Sequence, residues 1–171
     1  LCNNAGVITA GVAWESPLSD YEWTLGENVW GVNHGVRNFV PIMLEQDTEC
    51  HVVNTSSMAG VTTLPFTSIY HMSKHAVLAY SESLYHELTS MGSKIGVSAL
   101  CPEAIDTGIG RSERNRPSKL TEDGPPPTGF DLVNQALNDT IQDGTKPEVI
   151  ADRVLDAIRE NRFYILSEDG W

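Results

Sequence analysis

Basic residues are scarce in this chain. Its 11 Lys and Arg stand against 23 Asp and Glu, a formal net charge of −12 over 171 residues. A nucleic-acid partner calls for clustered Lys and Arg against its phosphates, so none is expected. Cysteine is rarer still: Cys2, Cys50 and Cys101 are odd in number, widely spaced and without a CxxC pair. That is neither a disulfide framework nor a zinc pattern. The three read as small core residues of a reducing compartment, and a cytoplasmic location is expected. No apolar run approaches the roughly 20 residues of a membrane span, so no membrane association is expected. There is no internal repeat, no inter-domain linker and no Gly-rich phosphate turn.

What is present is a globular composition, 40% apolar with 14 Gly and 9 Pro. Ser19-Asp20-Tyr21-Glu22 reads as a capping box, which predicts a helix from about residue 20 to Leu44. Gly26, Gly31 and Gly35 lie inside it and each costs about 1 kcal/mol relative to Ala, so a local kink or a close backbone approach is expected there. Pro41 is placed to bend or end that helix. His51-Val52-Val53-Asn54-Thr55 reads as a buried strand. A second helix, about Ser68 to Met91, carries Ala76, Val77, Tyr80, Leu84 and Leu88 on one stripe. Ile95 to Leu100 is the next strand, and strand, helix, strand at this spacing predicts a βαβ unit in a parallel sheet. After a long loop over 108–129, a short helix over 131–141 is expected. A second capping box, Thr145-Lys146-Pro147-Glu148, opens another helix, and Phe163 to Leu166 forms a closing strand.

Tyr70 and Lys74 are four apart, so on a helix they share a face with Cβ atoms roughly 6 Å apart. An ammonium there favours the phenolate, and a phenol with a lowered pKa works as a general acid or base near neutral pH. Ser57 lies 13 residues before Tyr70, just beyond the buried strand, where open parallel sheets border their ligand crevice. A hydroxyl there is placed to hold a carbonyl oxygen. Asn33 is a polar residue among apolar neighbours. It reads either as a helix-surface Asn or as a kink that lets a water bridge to Lys74.

Asn3-Asn4-Ala5-Gly6, Val32-Asn33-x-Gly35, Asn54-x-Ser56-Ser57-x-Ala59-Gly60 and Tyr70-x-x-x-Lys74 resemble, in order and spacing, the motifs of the short-chain dehydrogenase/reductase family. The resemblance implies an α/β, Rossmann-like doubly wound parallel sheet, here incomplete, running from the end of strand 4 through strand 7 with flanking helices. It implies NAD or NADP as cofactor and an alcohol or carbonyl compound as substrate. Tyr70 would exchange the proton, Lys74 would tune Tyr70 and hold the nicotinamide ribose, Ser57 would polarise the carbonyl and Asn33 would hold a relay water. Asn4, Ala5 and Gly6 would pass beside the adenosine, and Pro102, Ile105 and Thr107 would border the nicotinamide. A homodimer or homotetramer is the expected assembly, with no metal.

Glu103 stands where the family has Gly after Pro102, which removes easy access to positive φ. The phosphate turn that precedes Asn3-Asn4-Ala5-Gly6 in the family is missing. The 171 residues are therefore expected to be a partial NAD(P)-binding domain, the carboxyl-terminal part of a longer enzyme, with 108–145 as its substrate lid. The alternative is a catalytically inactive fragment, or a cofactor-free interaction protein on the same scaffold. An extended-family epimerase or dehydratase shares the Tyr-x-x-x-Lys spacing but carries a larger substrate domain. His71 and His75 read as solvated helix positions rather than metal ligands. The basic run Arg111, Arg114, Arg116 and Lys119 reads as a mobile, solvated lid, or else as a contact for an anion.

Overall fold

Short β-branched segments alternate with long amphipathic ones, and parallel strands need crossover connections long enough to hold a helix. The computed structural model has that form, and it describes residues 1–121 and 124–167. Residues 122–123 of the expected lid and 168–171 of the expected domain lie outside the described residues. Strands β1 (Cys2–Asn3), β2 (Cys50–Thr55), β3 (Ile95–Cys101) and β4 (Tyr164–Leu166) form one sheet in the order β1-β2-β3-β4. Every pairing is parallel, with Val53 opposite both Cys2 and Ser98, and Ala99 opposite Tyr164. The helices are α1 (Leu18–Leu25), α2 (Gly31–Gln46), α3 (Ser68–Ser90), α4 (Phe130–Gln142) and α5 (Pro147–Glu160).

Successive strand residues face opposite sides, and the core follows that alternation. Val52, Ile95 and Val97 pack with Val36 and Val40 of α2 and Leu84 and Leu88 of α3. Val53, Leu100 and Ile165 pack on the other side with Ile150 and Ala157 of α5. Helices thus cover both faces, the doubly wound arrangement. Among the described residues no helix is long and apolar enough to cross a membrane.

Both capping boxes fail, each for a visible reason. Helix α1 begins two residues early, at Leu18, with Pro17 as its cap and no side-chain cap. Pro17 has φ −67°, already that of a helix entry. Ser19 Oγ is left buried without a partner. Thr145 is taken up elsewhere: its N–H donates to Ala104 O, its carbonyl accepts from Asp106 N, and α5 starts at Pro147. The glycines of the first long helix do mark a distortion. Gly26–Trp30 form a π-helical turn between α1 and α2, and a Cβ on Gly35 would collide with the Asn3 amide. Pro41 does not end α2, which runs on to Gln46 and closes with Asp47 in the left-handed region at φ 48°.

Candidate active site

Ser57 leaves the carboxyl end of β2 in an extended conformation and caps the turn Met58–Gly60 by accepting from Ala59 N at 3.1 Å. Its neighbour Met58 donates from N to Pro102 O at 2.9 Å, tying this loop to the end of β3. Tyr70 lies in the first turn of α3 with Lys74 one turn on. Lys74 is 3% exposed; its Nζ donates to Thr55 O at 2.9 Å and stands 5.7 Å from the Tyr70 ring centroid. Ser57, Tyr70 and Lys74 therefore meet where β2 ends and α3 begins.

The electrostatics differ from the sequence expectation. Burial raises the Tyr70 phenol above its ordinary value, and the nearby Ser57 hydroxyl opposes that rise. The expected lowering by Lys74 does not prevail, because desolvation favours the neutral form of both groups. Lys74 itself is pulled down from 10.5 to about 8 by the same burial. A phenol that keeps its proton at neutral pH is in the state a general acid needs.

Asn33, expected at the relay, is not there. Its Nδ2 donates to Tyr80 OH at 3.2 Å, and it lines an apolar groove between α2 and α3 with Val29, Trp30, Val32, Ala76 and Val77. Asn28 is the asparagine turned inward by the π-helical turn. It is 1% exposed, accepts from Val7 N at 2.8 Å, and donates to Val7 O and Ser73 Oγ, each at 2.9 Å. Ser73 Oγ in turn donates to Tyr70 O at 2.7 Å. A methyl on Gly6 would stand 3.2 Å from Asn28 Oδ1 and 3.4 Å from Lys74 Nζ, so amide and ammonium converge on Gly6. Sequence reasoning missed both Asn28 and Ser73. The signal for Asn28 was available: Thr24, Asn28, Val32, Val36 and Val40 recur every four residues and all are buried, whereas Asn33 falls one position off that stripe.

The other expected contacts divide. Asn4 and Ala5 are exposed beyond β1, with Asn4 Oδ1 accepting from Thr55 Oγ1 at 3.2 Å. Pro102 offers its carbonyl to Met58 and, at 3.4 Å, to Ser57 Oγ. Thr107 is exposed and caps the turn after it. Ile105 packs into the α5-side core and bridges to Thr145, so its side chain is committed to the fold. Glu103 is not in the positive-φ region, and the loss of the family's glycine carries no backbone strain.

His71 is not solvated. It is buried, its Nε2 accepts from Leu64 N at 3.1 Å, and its Nδ1 faces Ala59 O at 2.9 Å and Thr62 O at 2.7 Å. With Nε2 accepting, Nδ1 is the ring nitrogen that donates to the loop carbonyls. The imidazole thereby straps the loop after Ser57 to the helix that carries Tyr70. His75 is exposed, and among the described residues no group of three His, Cys, Asp or Glu is placed to hold a metal ion.

The sequence model of the short chain dehydrogenase family matches residues 1–118. The chain belongs to the short-chain dehydrogenase family. It is 31% identical over 170 residues to the CLA biosynthesis dehydrogenase/reductase of Lactiplantibacillus plantarum, covering 98% of this chain and 59% of that protein. It is 32% identical over 169 residues to the 1-deoxy-11-beta-hydroxypentalenate dehydrogenase of Streptomyces avermitilis, covering 98% of this chain and 54% of that one. The fold matches a crystal structure of a short-chain dehydrogenase/reductase from Burkholderia phymatum in complex with NAD. There the TM-score is 0.95 and the identity 44%, over 97% of this chain and 59% of that one. This short-chain dehydrogenase chain thus spans a little over half the length of the relatives it matches.

Proposed function

We propose that this chain is the catalytic part of an NAD- or NADP-dependent oxidoreductase that interconverts an alcohol and a ketone or aldehyde. The observation that carries the reading is the meeting of Ser57, Tyr70 and a buried Lys74 at the end of β2 and start of α3. When bound, a nicotinamide ring supplies or accepts the hydride. In the reductive direction the Ser57 hydroxyl donates to the substrate oxygen and orients the carbonyl. As the carbon–oxygen π pair moves onto that oxygen, Tyr70 Oη–H delivers its proton to it, and oxidation runs the same transfers backwards. Asn28, in the place expected of Asn33, braces Val7 and Ser73 around the site.

The residues fit such a cofactor. Lys74 has three N–H donors, one spent on Thr55 O, and among the described residues no carboxylate forms an ion pair with it. An ammonium with donors to spare suits neutral acceptors such as the ribose hydroxyls. Asn4, Ala5 and Gly6 line the approach beyond β1, and Pro102, Ile105 through its backbone, and Thr107 border the other side. The NAD in the Burkholderia phymatum relative supports the same reading. The partial domain 1–171 is proposed to act within a longer chain that supplies the phosphate turn, as a homodimer or homotetramer. Three free thiols favour a reducing, cytoplasmic setting. A cofactor-free scaffold would have no use for a nearly fully buried Lys74 that has no carboxylate partner among the described residues, which favours the enzyme.

Turnover of a panel of secondary alcohols and ketones, followed by nicotinamide absorbance alongside calorimetric cofactor titration, tests the proposal. Cofactor binding with turnover of at least one alcohol and carbonyl pair is expected. Absence of cofactor binding in the full-length protein contradicts it.

A further inference from the structure

Three of the four basic residues in 108–121 face solvent: Arg111, Arg114 and Lys119 are exposed. Arg116 does not. Its side chain is only 11% exposed, and its guanidinium carbon stands 4.2 Å from the centroid of the fully buried Trp23 ring. Nη2 donates to Asp20 Oδ1 at 2.7 Å and to Glu113 Oε1 at 2.8 Å, Nε donates to Glu113 Oε2 at 2.7 Å, and Nη1 reaches Leu120 O at 3.4 Å. Asp20 is as withdrawn from water as its partner, at 10%. One guanidinium thus closes the segment on itself through Glu113 and Leu120 and fastens it to α1 through Asp20 and Trp23.

A second tie holds the inner edge. Ser112 is buried; its Oγ donates to Ile109 O and accepts from Ile8 N at 3.3 Å. Ile8 is two residues beyond Gly6, where Asn28 and Lys74 converge. The segment is therefore tied on one edge to the loop two residues past Gly6 and latched to α1 on the other. Burying an ion pair costs desolvation, offset only where geometry is good and the remaining donors are used. Arg116 meets both conditions through its planar fork and its aromatic platform. A cover ordered only by its ligand has no need of such a contact.

We propose that Arg116 is a positioning residue that pins 108–121 against α1 before any ligand binds, so that the substrate-side wall is preformed. The substrate side of this statement rests on the oxidoreductase reading, whereas the fixed state of the segment does not.

Amide hydrogen exchange over 108–121, with steady-state kinetics, tests it in wild type, Arg116→Met and Arg116→Lys. Wild type should show a protected segment whose exchange changes less than about twofold on adding NAD(P)H and substrate. Arg116→Met should raise exchange there at least about tenfold, leaving β2 and α3 unchanged, and the raised exchange should fall again on ligand binding. The substrate KM should rise about tenfold, with kcat and cofactor Kd within about threefold, because only a wall that must now be ordered is weakened. Arg116→Lys keeps the charge without the fork and should lie between the two. Should Arg116→Met not fold, Asp20→Asn reads the same latch from its other side. A wild-type segment that exchanges like a solvated loop until ligand arrives overturns the proposal, as does unchanged exchange in the variants. Loosened exchange with no turnover in any protein, wild type included, would count against the oxidoreductase reading instead.

Discussion

The β2–α3 unit and the wall over 108–121 are held in opposite ways. In the first, Lys74 reaches Thr55 across 19 residues of sequence, and helix geometry alone puts Tyr70 and Lys74 on one face. In the second, Arg116 reaches Asp20 across 96 residues and Ser112 reaches Ile8 across 104. The first is chemistry placed by local periodicity. The second is shape placed by long-range contacts, and no local rule announces it. Damage to the two should therefore differ in kind, with lost chemistry from one and lost fit from the other.

Asn28→Ala should be the most damaging change to the catalytic side. It leaves Val7 N–H, Val7 C=O and Ser73 without their buried partner, and unmade buried hydrogen bonds cost about 1–3 kcal/mol each. A loss of at least roughly 3 kcal/mol in denaturant unfolding is expected. A loss below about 1 kcal/mol would show that Asn28 is not the brace described.

Lys74 makes a prediction of comparable size with a definite sign. With its value near 8 folded and 10.5 unfolded, the native state binds fewer protons than the unfolded chain between those limits. Stability then rises with pH through that window, by roughly 3 kcal/mol in total. The melting temperature of wild type relative to Lys74→Met should climb from pH 8 to pH 10. A flat difference would mean that Lys74 is better solvated than its burial indicates.

Gly35→Ala should cost about 1–3 kcal/mol, because the added methyl must displace the Asn3 amide that links β1 to Asn54. Asn33→Ala should be the mildest, removing one partly buried bond to Tyr80 for about 1 kcal/mol or less. Its turnover should stay within about twofold of wild type, and the contrast with Asn28→Ala separates the two asparagines directly. Parallel kinetic losses at both positions would erase it.

The sheet, its helices and the Ser57, Tyr70 and Lys74 spacing were legible because each rests on periodicity or on the end of a strand. The two helix starts at Ser19 and Thr145 were misread because a proline entry and a backbone bridge competed with the side-chain cap. Asn33 stands out in the sequence as a polar residue among apolar neighbours, whereas the buried stripe runs through Thr24, Asn28 and Val32. His71 and Arg116 looked like surface charges. Their partners are loop carbonyls in one case and an acid 96 residues away in the other, and composition cannot supply those.

The central claim is that Tyr70 moves the proton while the rest of the chain positions the reactants. It is tested most directly by single-turnover hydride transfer in wild type and Tyr70→Phe, with cofactor affinity measured in the same samples. The account predicts a rate at least ~10²-fold lower in the variant with cofactor Kd nearly unchanged, the usual size of a general-acid contribution. Hydride transfer at the wild-type rate in Tyr70→Phe would contradict it.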